Sequence, residues 1–457
     1  MSQTMPNNIM TINTAPPPAP PVTRERLIRL AGLLILAAFS ATYLLSEDAA
    51  RYLKPLLLLM GWGGFCLFGG TLRRSAPALF LISALVIVLA SWGLSWLDHP
   101  QWAESSPKVH RLTNWCVFIA VAWLLRGKSS WTLAVWSLAG LALLVTPWVR
   151  GDGIQEWLNG LNGARVDFGL NNAQHTGMLT GTVFLGILAY TRKILTPGRW
   201  QWARTLGWVA ALVVFGTAVV ISQTRAVWIG VFAALCLYFI GFLVWICRMP
   251  PQYKARMLLA TLSGLICLTA LAVYTLEPVI EKRLQAEHEI IEGLASLKLK
   301  DDEFSSISYR TNSWKAAIPW ILDRPLIGWG GNGRGLVLEH SPNLPDWFMA
   351  KTGHLHSTYV DTLVNFGLLG LALFLGILGW TLVRAWQAWR QDYMSSEMFL
   401  FLLAFSIYWL TINLTESYMY YSTGQYAFAL VIGGMVTRIW RMQADRKWPS
   451  TNRTTDA

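Results

Sequence analysis

The sequence predicts an all-α protein that crosses a membrane many times. Hydrophobic residues make up 54% of its 457 positions and charged residues only 14%, whereas soluble globular proteins carry about 25% charged residues. The 25 Trp, 19 Phe and 14 Tyr are typical of the aromatic belts found at membrane interfaces. These proportions nearly exclude a water-soluble body of this size.

Twelve apolar segments qualify as candidate spans, since a membrane helix needs about 20 mostly apolar residues. The fourth of them is short. In chain order they are Leu27–Leu45, Pro55–Gly70, Pro77–Trp96, Thr113–Leu125, Trp131–Trp148, Ala173–Tyr190, Trp202–Ser222, Val227–Ile246, Met257–Leu276, Ser357–Val383, Met398–Ile412 and Gln425–Ile439. A polar, proline-rich stretch precedes them, so we expect residues 1–26 to be a disordered cytoplasmic tail before an uncleaved first span.

The distribution of charge predicts the orientation. With the N-terminus in the cytoplasm, the inner segments hold 21 of the 37 basic residues but only 5 of the 25 acidic ones, as the positive-inside rule requires. Both termini are therefore predicted to be cytoplasmic. The net charge of +12 reflects this topology and does not indicate a nucleic-acid partner. The predicted division is spans one to nine over 27–277, an outer lobe over 278–356, spans ten to twelve over 357–440 and a basic cytoplasmic tail over 441–457.

The predicted outer lobe has a patterned sequence. Leu284, Ile291 and Leu294 share one face of an amphipathic helix pattern, a second helix is predicted over Asn312–Leu322, and glycines from Gly328 to Gly335 predict turns. That glycine run is not a nucleotide loop, because no strand precedes it and no Gly-Lys-Ser follows. The five cysteines show neither metal-ligand spacing nor a disulfide framework.

Arg225 is the strongest candidate for a functional residue. It is the only charged residue between Arg204 and Arg248, so it must lie at the tight outer turn between two spans. An arginine costs roughly 2.5–3.5 kcal/mol at the centre of a membrane helix and less near an interface. A purely topological arginine is expected on the inner side. We therefore favour a clamp for an anion, because a guanidinium binds phosphate groups in a bidentate manner.

His354 and His356 precede a long apolar helix. A histidine is the usual general base for a hydroxyl nucleophile. Residues i and i+2 at a helix start point to different sides, so we expect only one of the two to face the site. A metal site and a pair of solvated interfacial histidines are the alternatives.

Five further residues are predicted to bind substrate: Tyr309, Arg165, His175, His354 and Glu416. Glu416 lies among tyrosines and could hydrogen-bond sugar hydroxyls or pair with an arginine. An Asp-x-Asp pair of the kind that holds a divalent cation for sugar transfer is absent from the outer segments. We therefore expect neither a metal nor another cofactor.

Three motifs resemble one family. Ser222-Gln223-Thr224-Arg225-Ala226, then Arg310…Trp314…Pro325-x-x-Gly328-x-Gly330, then His354-Leu355-His356-Ser357…Gly367-Leu368-Leu369-Gly370 resemble elements of the superfamily of O-antigen ligases, O-antigen polymerases and pilin oligosaccharyltransferases. Each motif is weak alone, but their order and shared predicted side are specific. Ala226 and Ser357 stand where glycine and asparagine are common.

The resemblance implies a glycosyltransferase with a C-type fold in the bacterial inner membrane. Such enzymes take a glycan from undecaprenyl diphosphate at the periplasmic face. Carried over, Arg225 and Arg310 would bind the diphosphate and His356 would be the catalytic base. The short tail after the last span favours an O-antigen ligase, with lipid A–core oligosaccharide as acceptor, over a pilin oligosaccharyltransferase.

Other functions stay open. An O-antigen polymerase would have a similar donor site. A transporter of lipid-linked glycans would place ionisable residues or broken helices near the bilayer midplane, whereas the residues named above are predicted at outer ends. A membrane scaffold without catalysis would leave Arg225 and His356 unexplained.

Overall fold

The computed structural model describes residues 23–247, 306–342 and 353–447, together with positions 250, 277, 279, 281 and 344. All regular secondary structure in these ranges is helical. The predicted ninth span and the predicted amphipathic helix around Leu284–Leu294 lie outside the described residues.

The helices follow the predicted apolar segments closely. They are α1 (Arg24–Thr42), α2 (Glu47–Leu58), α3 (Gly64–Phe68), α4 (Ala76–Asp98), α5 (His110–Thr113), α6 (Phe118–Leu125), α7 (Ser129–Arg150), α8 (Ile154–Leu161), α9 (Ala173–Ala189), α10 (Thr191–Ile194), α11 (Gln201–Ile221), α12 (Arg225–Cys247), α13 (Ser306–Asp323), α14 (Gly333–His340), α15 (Thr358–Arg390), α16 (Ser396–Ile412) and α17 (Ser422–Lys447). A π-helical turn, Leu59–Gly63, joins α2 to α3.

Among the described residues, five helices are long and apolar enough to cross a membrane: α4, α7, α11, α15 and the Arg225–Val244 part of α12. The stretches His110–Leu125 and Ser396–Ile412 are apolar but shorter. The chain is therefore an α-helical, multi-pass membrane protein. The number of twelve spans stays a prediction.

Helix α6 shows why the fourth apolar segment is short. All of its eight residues are buried, and Gly433 of α17 approaches Val121 and Phe118 so closely that an added Cβ would lie 2.7 Å from the Val121 side chain. The helix is thus surrounded by protein. A helix in that position is apolar on every face.

The long helix α15 is broken at Gly367, which has φ 58° and ψ −158°, a conformation essentially confined to glycine. The break removes intrahelical partners from the backbone on either side. The segment that follows α13 replaces them: Trp329 N donates to Val364 O at 2.9 Å, and Leu368 N donates to Pro325 O at 2.8 Å. The predicted glycine-rich turn thus docks into the helix break.

Two helices of the predicted outer lobe pack against the first half of α15. Ala316 and Ala317 of α13, Val337 and Leu338 of α14, and Val364 form a small buried apolar cluster. Gly333 begins α14, so the end of the predicted turn run at Gly335 is helical instead. The lobe is therefore attached to the helix that follows the two histidines.

Candidate active site at one end of the helix bundle

The turn before Arg225 is held by the loop that precedes α9. Gln223 adopts φ 48°, which is uncommon for a residue other than glycine. Its Nε2 donates to Gly163 O at 3.0 Å, and Thr224 Oγ1 donates to Ala173 O at 3.2 Å. These bonds fix Arg225 as the first residue of α12.

Arg225 stands at an electrostatically unusual position. The N-terminus of a helix carries a partial positive charge, so a cation there is disfavoured while an anion is attracted. Arg165 adds a second guanidinium beside this turn, because its Nε donates to Ser222 O at 3.3 Å. The helix end and both arginines therefore favour a bound anion.

Helix α13 contributes Arg310 and Trp314, one turn apart and hence on one face. Arg310 Nε donates to Thr415 O at 3.0 Å. Trp314 Nε1 donates to Leu355 O at 2.8 Å. These two hydrogen bonds hold α13 against the loop before α17 and against the segment that bears the two histidines.

The two histidines lie side by side. Their ring centroids are 4.1 Å apart, so the expectation that only one would face the site is wrong. The reason is that α15 begins only at Thr358 and His356 adopts φ 53°. Leu355, between them, is fully buried and donates its N–H to Asp361 Oδ1 at 3.0 Å, which turns both imidazoles the same way.

Glu416 joins the two imidazoles from a distant loop. Its Oε1 lies 2.8 Å from His354 Nε2, and its Oε2 lies 3.5 Å from His356 Nδ1. The residue is 3% exposed. Burial raises the pKa of the Glu416 carboxyl, but the hydrogen bonds to the two histidines outweigh this and hold its pKa well below the usual range. The carboxylate is therefore ionised at neutral pH.

Aromatic and polar neighbours complete this cluster. Tyr309 meets His356 edge-on, with ring centroids 5.5 Å apart. The Tyr421 hydroxyl lies 3.1 Å from His354 Nδ1, and the Tyr421 ring meets that of the fully buried His175 at 4.7 Å. His175 is in turn hydrogen-bonded to Thr423.

The arginines and the histidine cluster share one electrostatic environment. Burial lowers the pKa of Arg310, attraction to Glu416 raises it, and repulsion from Arg225 and Arg165 lowers it again. Burial likewise lowers the pKa of Arg165, which Glu416 also attracts. Arg310 and Arg165 thus lie within electrostatic range of a buried carboxylate that is already bonded to imidazoles, and Arg225 lies within range of Arg310.

One side-chain set could hold a cation. Donor atoms of His354, His356 and Glu416 all lie within 4.8 Å of one another. However, the 2.8 Å separation of His354 Nε2 and Glu416 Oε1 is a hydrogen-bond distance, so the group is satisfied as a hydrogen-bonded cluster. Sequence reasoning missed this third donor because Glu416 is 60 residues from His356 along the chain.

Hydrogen bonds, ring contacts or electrostatic interactions relate all eight predicted site residues to one region: Arg165, His175, Arg225, Tyr309, Arg310, His354, His356 and Glu416. The roles of Asp361 and Tyr421 were not predicted. An aspartate in the first turn of an otherwise apolar helix was the available signal for Asp361. Tyr421 gave no signal beyond its membership of a run of tyrosines.

Helices long and apolar enough to cross a membrane, together with a cluster of arginines, histidines and one buried carboxylate, define the class as multi-pass membrane proteins with a polar site. Residues 210–375 match the O-antigen ligase family. The matched range includes Arg225, Arg310 and both histidines. This match supports membership of that family and, at a coarse level, a transferase of the ligase and polymerase type. No curated protein matches the chain.

Proposed function

We propose that this protein is an O-antigen ligase with a C-type glycosyltransferase fold and twelve spans. It transfers a glycan from undecaprenyl diphosphate to a hydroxyl of lipid A–core oligosaccharide, at the periplasmic face of the bacterial inner membrane. The observation that carries the proposal is the grouping of Arg165 and Arg310 around the buried His354–Glu416–His356 cluster, with Arg225 within electrostatic range of Arg310. It rests also on the match of residues 210–375 to the O-antigen ligase family.

The arginines supply the charge that a diphosphate leaving group requires. Negative charge develops on the bridging oxygen as its bond to the anomeric carbon breaks. Arg225 and Arg310 bind the diphosphate and stabilise that charge, and charge stabilisation of this kind is usually the largest contribution to catalysis. Arg165 stands behind the turn that bears Arg225 and adds to the same positive field.

His356 acts as the general base. Its Nδ1 points towards Glu416, so a neutral imidazole with the proton on Nδ1 presents Nε2 to the acceptor. The acceptor oxygen attacks the anomeric carbon, its proton passes to His356, and the electron pair of the broken bond leaves with the diphosphate. Displacement from the opposite side inverts the anomeric centre.

Glu416 positions both imidazoles. The structure leaves this side chain 3% exposed and bonded to His354, His356 and the N–H of Ser417. We therefore assign it to orienting the base and stabilising the imidazolium, as a buried carboxylate does beside a catalytic histidine. The earlier prediction that Glu416 contacts sugar hydroxyls remains untested.

The test is a transfer assay with purified protein, undecaprenyl-diphosphate glycan and lipid A–core acceptor. Glycan on lipid A–core is the expected product. A longer lipid-linked glycan would assign a polymerase, glycan on pilin an oligosaccharyltransferase, and movement of the donor without bond cleavage a transporter.

In the same assay, His356→Ala should lower kcat about 10²- to 10⁴-fold, the usual contribution of a general base. His340→Ala, on the exposed end of α14, is the matched control and should be active. Full activity of His356→Ala would remove the general base. Strong inhibition by a chelator would instead assign His354, His356 and Glu416 to a metal.

A further inference from the structure

A second cationic site lies beside the histidine cluster. A cavity of about 400 Å³ opens between the C-terminal ends of α1 and α7 and the N-terminal ends of α2 and α17. That volume is within the range of about 300–1,000 Å³ typical of small-molecule sites. Arg51, Lys54 and Arg150 line the cavity together with one carboxylate, that of Glu47.

The charges in this cavity do not balance. Arg150 Nη2 pairs with Glu47 Oε1 at 2.7 Å, which uses the only carboxylate in the lining. Arg51 reaches Asp48 at 3.7 Å, but both side chains are more than 70% exposed, and such pairs contribute little. No carboxylate in the described part of the chain forms an ion pair with the half-buried Lys54. The lining therefore keeps an excess of positive charge.

The remaining lining suits a sugar. Asn171, Ser422 and Thr423 offer amide and hydroxyl groups, and Tyr43 and Leu170 offer apolar surface. Amides and hydroxyls hydrogen-bond sugar hydroxyls, while cations hold phosphate. Together they match the chemistry of a phosphorylated sugar better than that of a neutral glycan or a bare lipid tail.

Only a few side chains separate the cavity from the histidine cluster. Thr423 lines the cavity and is hydrogen-bonded to His175. The ring of His175 contacts the ring of Tyr421, and the Tyr421 hydroxyl is hydrogen-bonded to His354. A ligand in the cavity is thus separated from the histidine cluster by a few side chains. Arg225 and Arg310 do not line the cavity, so it is distinct from the site assigned to the donor diphosphate.

We propose that this cavity binds a phosphate-bearing sugar of the acceptor and so selects phosphorylated acceptor oligosaccharides. The assignment of the ligand to the acceptor rests on the proposed function. With one sugar bound in the cavity, a neighbouring sugar of the same acceptor would lie close enough to place its hydroxyl at His356.

The test compares the phosphorylated acceptor with the same acceptor after enzymatic removal of its phosphates. In the transfer assay, Lys54→Gln and Arg51→Gln should each raise the KM for the phosphorylated acceptor up to about fivefold, the upper end of what one solvent-accessible ion pair contributes. The KM for the donor and kcat should stay within twofold. Both variants should also reduce the preference for the phosphorylated form. Lys315→Gln, an exposed lysine of α13, is the matched control with the same loss of charge.

The proposal would be overturned if Lys54→Gln and Arg51→Gln had the same KM as Lys315→Gln and the unmodified protein. It would also be overturned if the unmodified protein showed no preference for the phosphorylated acceptor. Competition by phosphatidylglycerol in nanodiscs, lost in Lys54→Gln, would assign the cavity to membrane lipid headgroups and would also overturn it.

A binding measurement separates this proposal from the proposed function. Calorimetry with the delipidated, phosphorylated core saccharide and no donor should show binding that weakens about fivefold in Lys54→Gln. Lys54-dependent binding without any transfer would reject the ligase and keep the anion site. Transfer without Lys54-dependent binding would keep the ligase and reject the anion site.

Discussion

Two clusters of buried charge at the same end of the bundle differ in composition. In the first, Arg334 pairs with the fully buried Asp361 at 3.2 Å. In the second, Glu416 attracts Arg165 and Arg310 and is bonded to two imidazoles, while Arg225 repels Arg310. An ion pair such as the first is satisfied within the protein, whereas guanidiniums gathered at a helix N-terminus attract anions. We therefore interpret the first cluster as structural, and the proposed function assigns the second to an anion.

The Arg334–Asp361 pair also supports the cluster around Glu416. Asp361 uses its second oxygen to accept the N–H of Leu355, and Arg334 N donates to Asn365 Oδ1 at 2.8 Å. The pair thereby fixes the segment that bears both histidines and the start of α14 against α15. Substitutions in the Glu416 cluster should therefore lower activity, whereas substitutions in the Arg334–Asp361 pair should lower stability.

The largest expected effect is on catalysis. Arg225→Ala and Arg310→Ala should each lower kcat about 10²- to 10³-fold, the usual loss when one donor to a developing negative charge is removed. The melting temperature should fall less than in Asp361→Asn, because relief of repulsion among the cations offsets part of the lost contacts, such as that of Arg310 with Thr415 O. Transfer kinetics and thermal unfolding in detergent check both statements. A variant with a lower melting temperature but an unchanged kcat would show that its arginine has a structural role, like Arg334 and Asp361.

The second effect is on stability. Asp361→Asn should still accept the Leu355 N–H but leave Arg334 without its counter-charge. Breaking a buried pair costs about 3–5 kcal/mol, and we expect about 3 kcal/mol because the Arg334 side chain stays 15% exposed. Thermal unfolding measures the loss, and the folded fraction should keep its kcat within about tenfold. Asp361→Glu is the control, because it keeps the negative charge and changes only the length of the side chain.

The smallest effect is on the pH dependence of stability. The folded-state pKa of Glu416 lies below its unfolded value, so its contribution to stability is complete above the unfolded pKa and is lost as the pH falls towards the folded pKa. Between pH 5 and pH 3, the melting temperature of the unmodified protein should therefore fall more steeply than that of Glu416→Gln. Parallel curves would show that Glu416 is not held in its charged form by the histidines.

Most of the helices could be predicted from hydropathy, because membrane spans are specified by long local runs of apolar residues. The turn at Arg225 followed from the distance between two such runs. The buried α6 was harder, since only the packing of α17 around it explains why so short a segment is apolar on every face.

The site was predictable where the chemistry lies in a single local motif. Arg225, Arg310 and His356 could be proposed as site residues in this way, but their mutual geometry could not be predicted. The prediction for His354 and His356 assumed helical directions, and the structure differs because His356 has a positive φ and α15 starts later. Glu416 was singled out, but its partners are set by tertiary structure and no local spacing reveals them.

The break at Gly367 has a consequence for biogenesis. An added Cβ there would lie 2.3 Å from the Leu326 carbonyl carbon, so the lobe segment and the helix interlock at backbone level. Exposed peptide groups are costly inside a bilayer. In the topology that we propose, the lobe is exported, so the first half of α15 would reach its final form only after the exported segment has returned to it. Export of the lobe and maturation of this helix would then be coupled, and a chain stalled before that encounter would expose unsatisfied backbone to quality-control proteases.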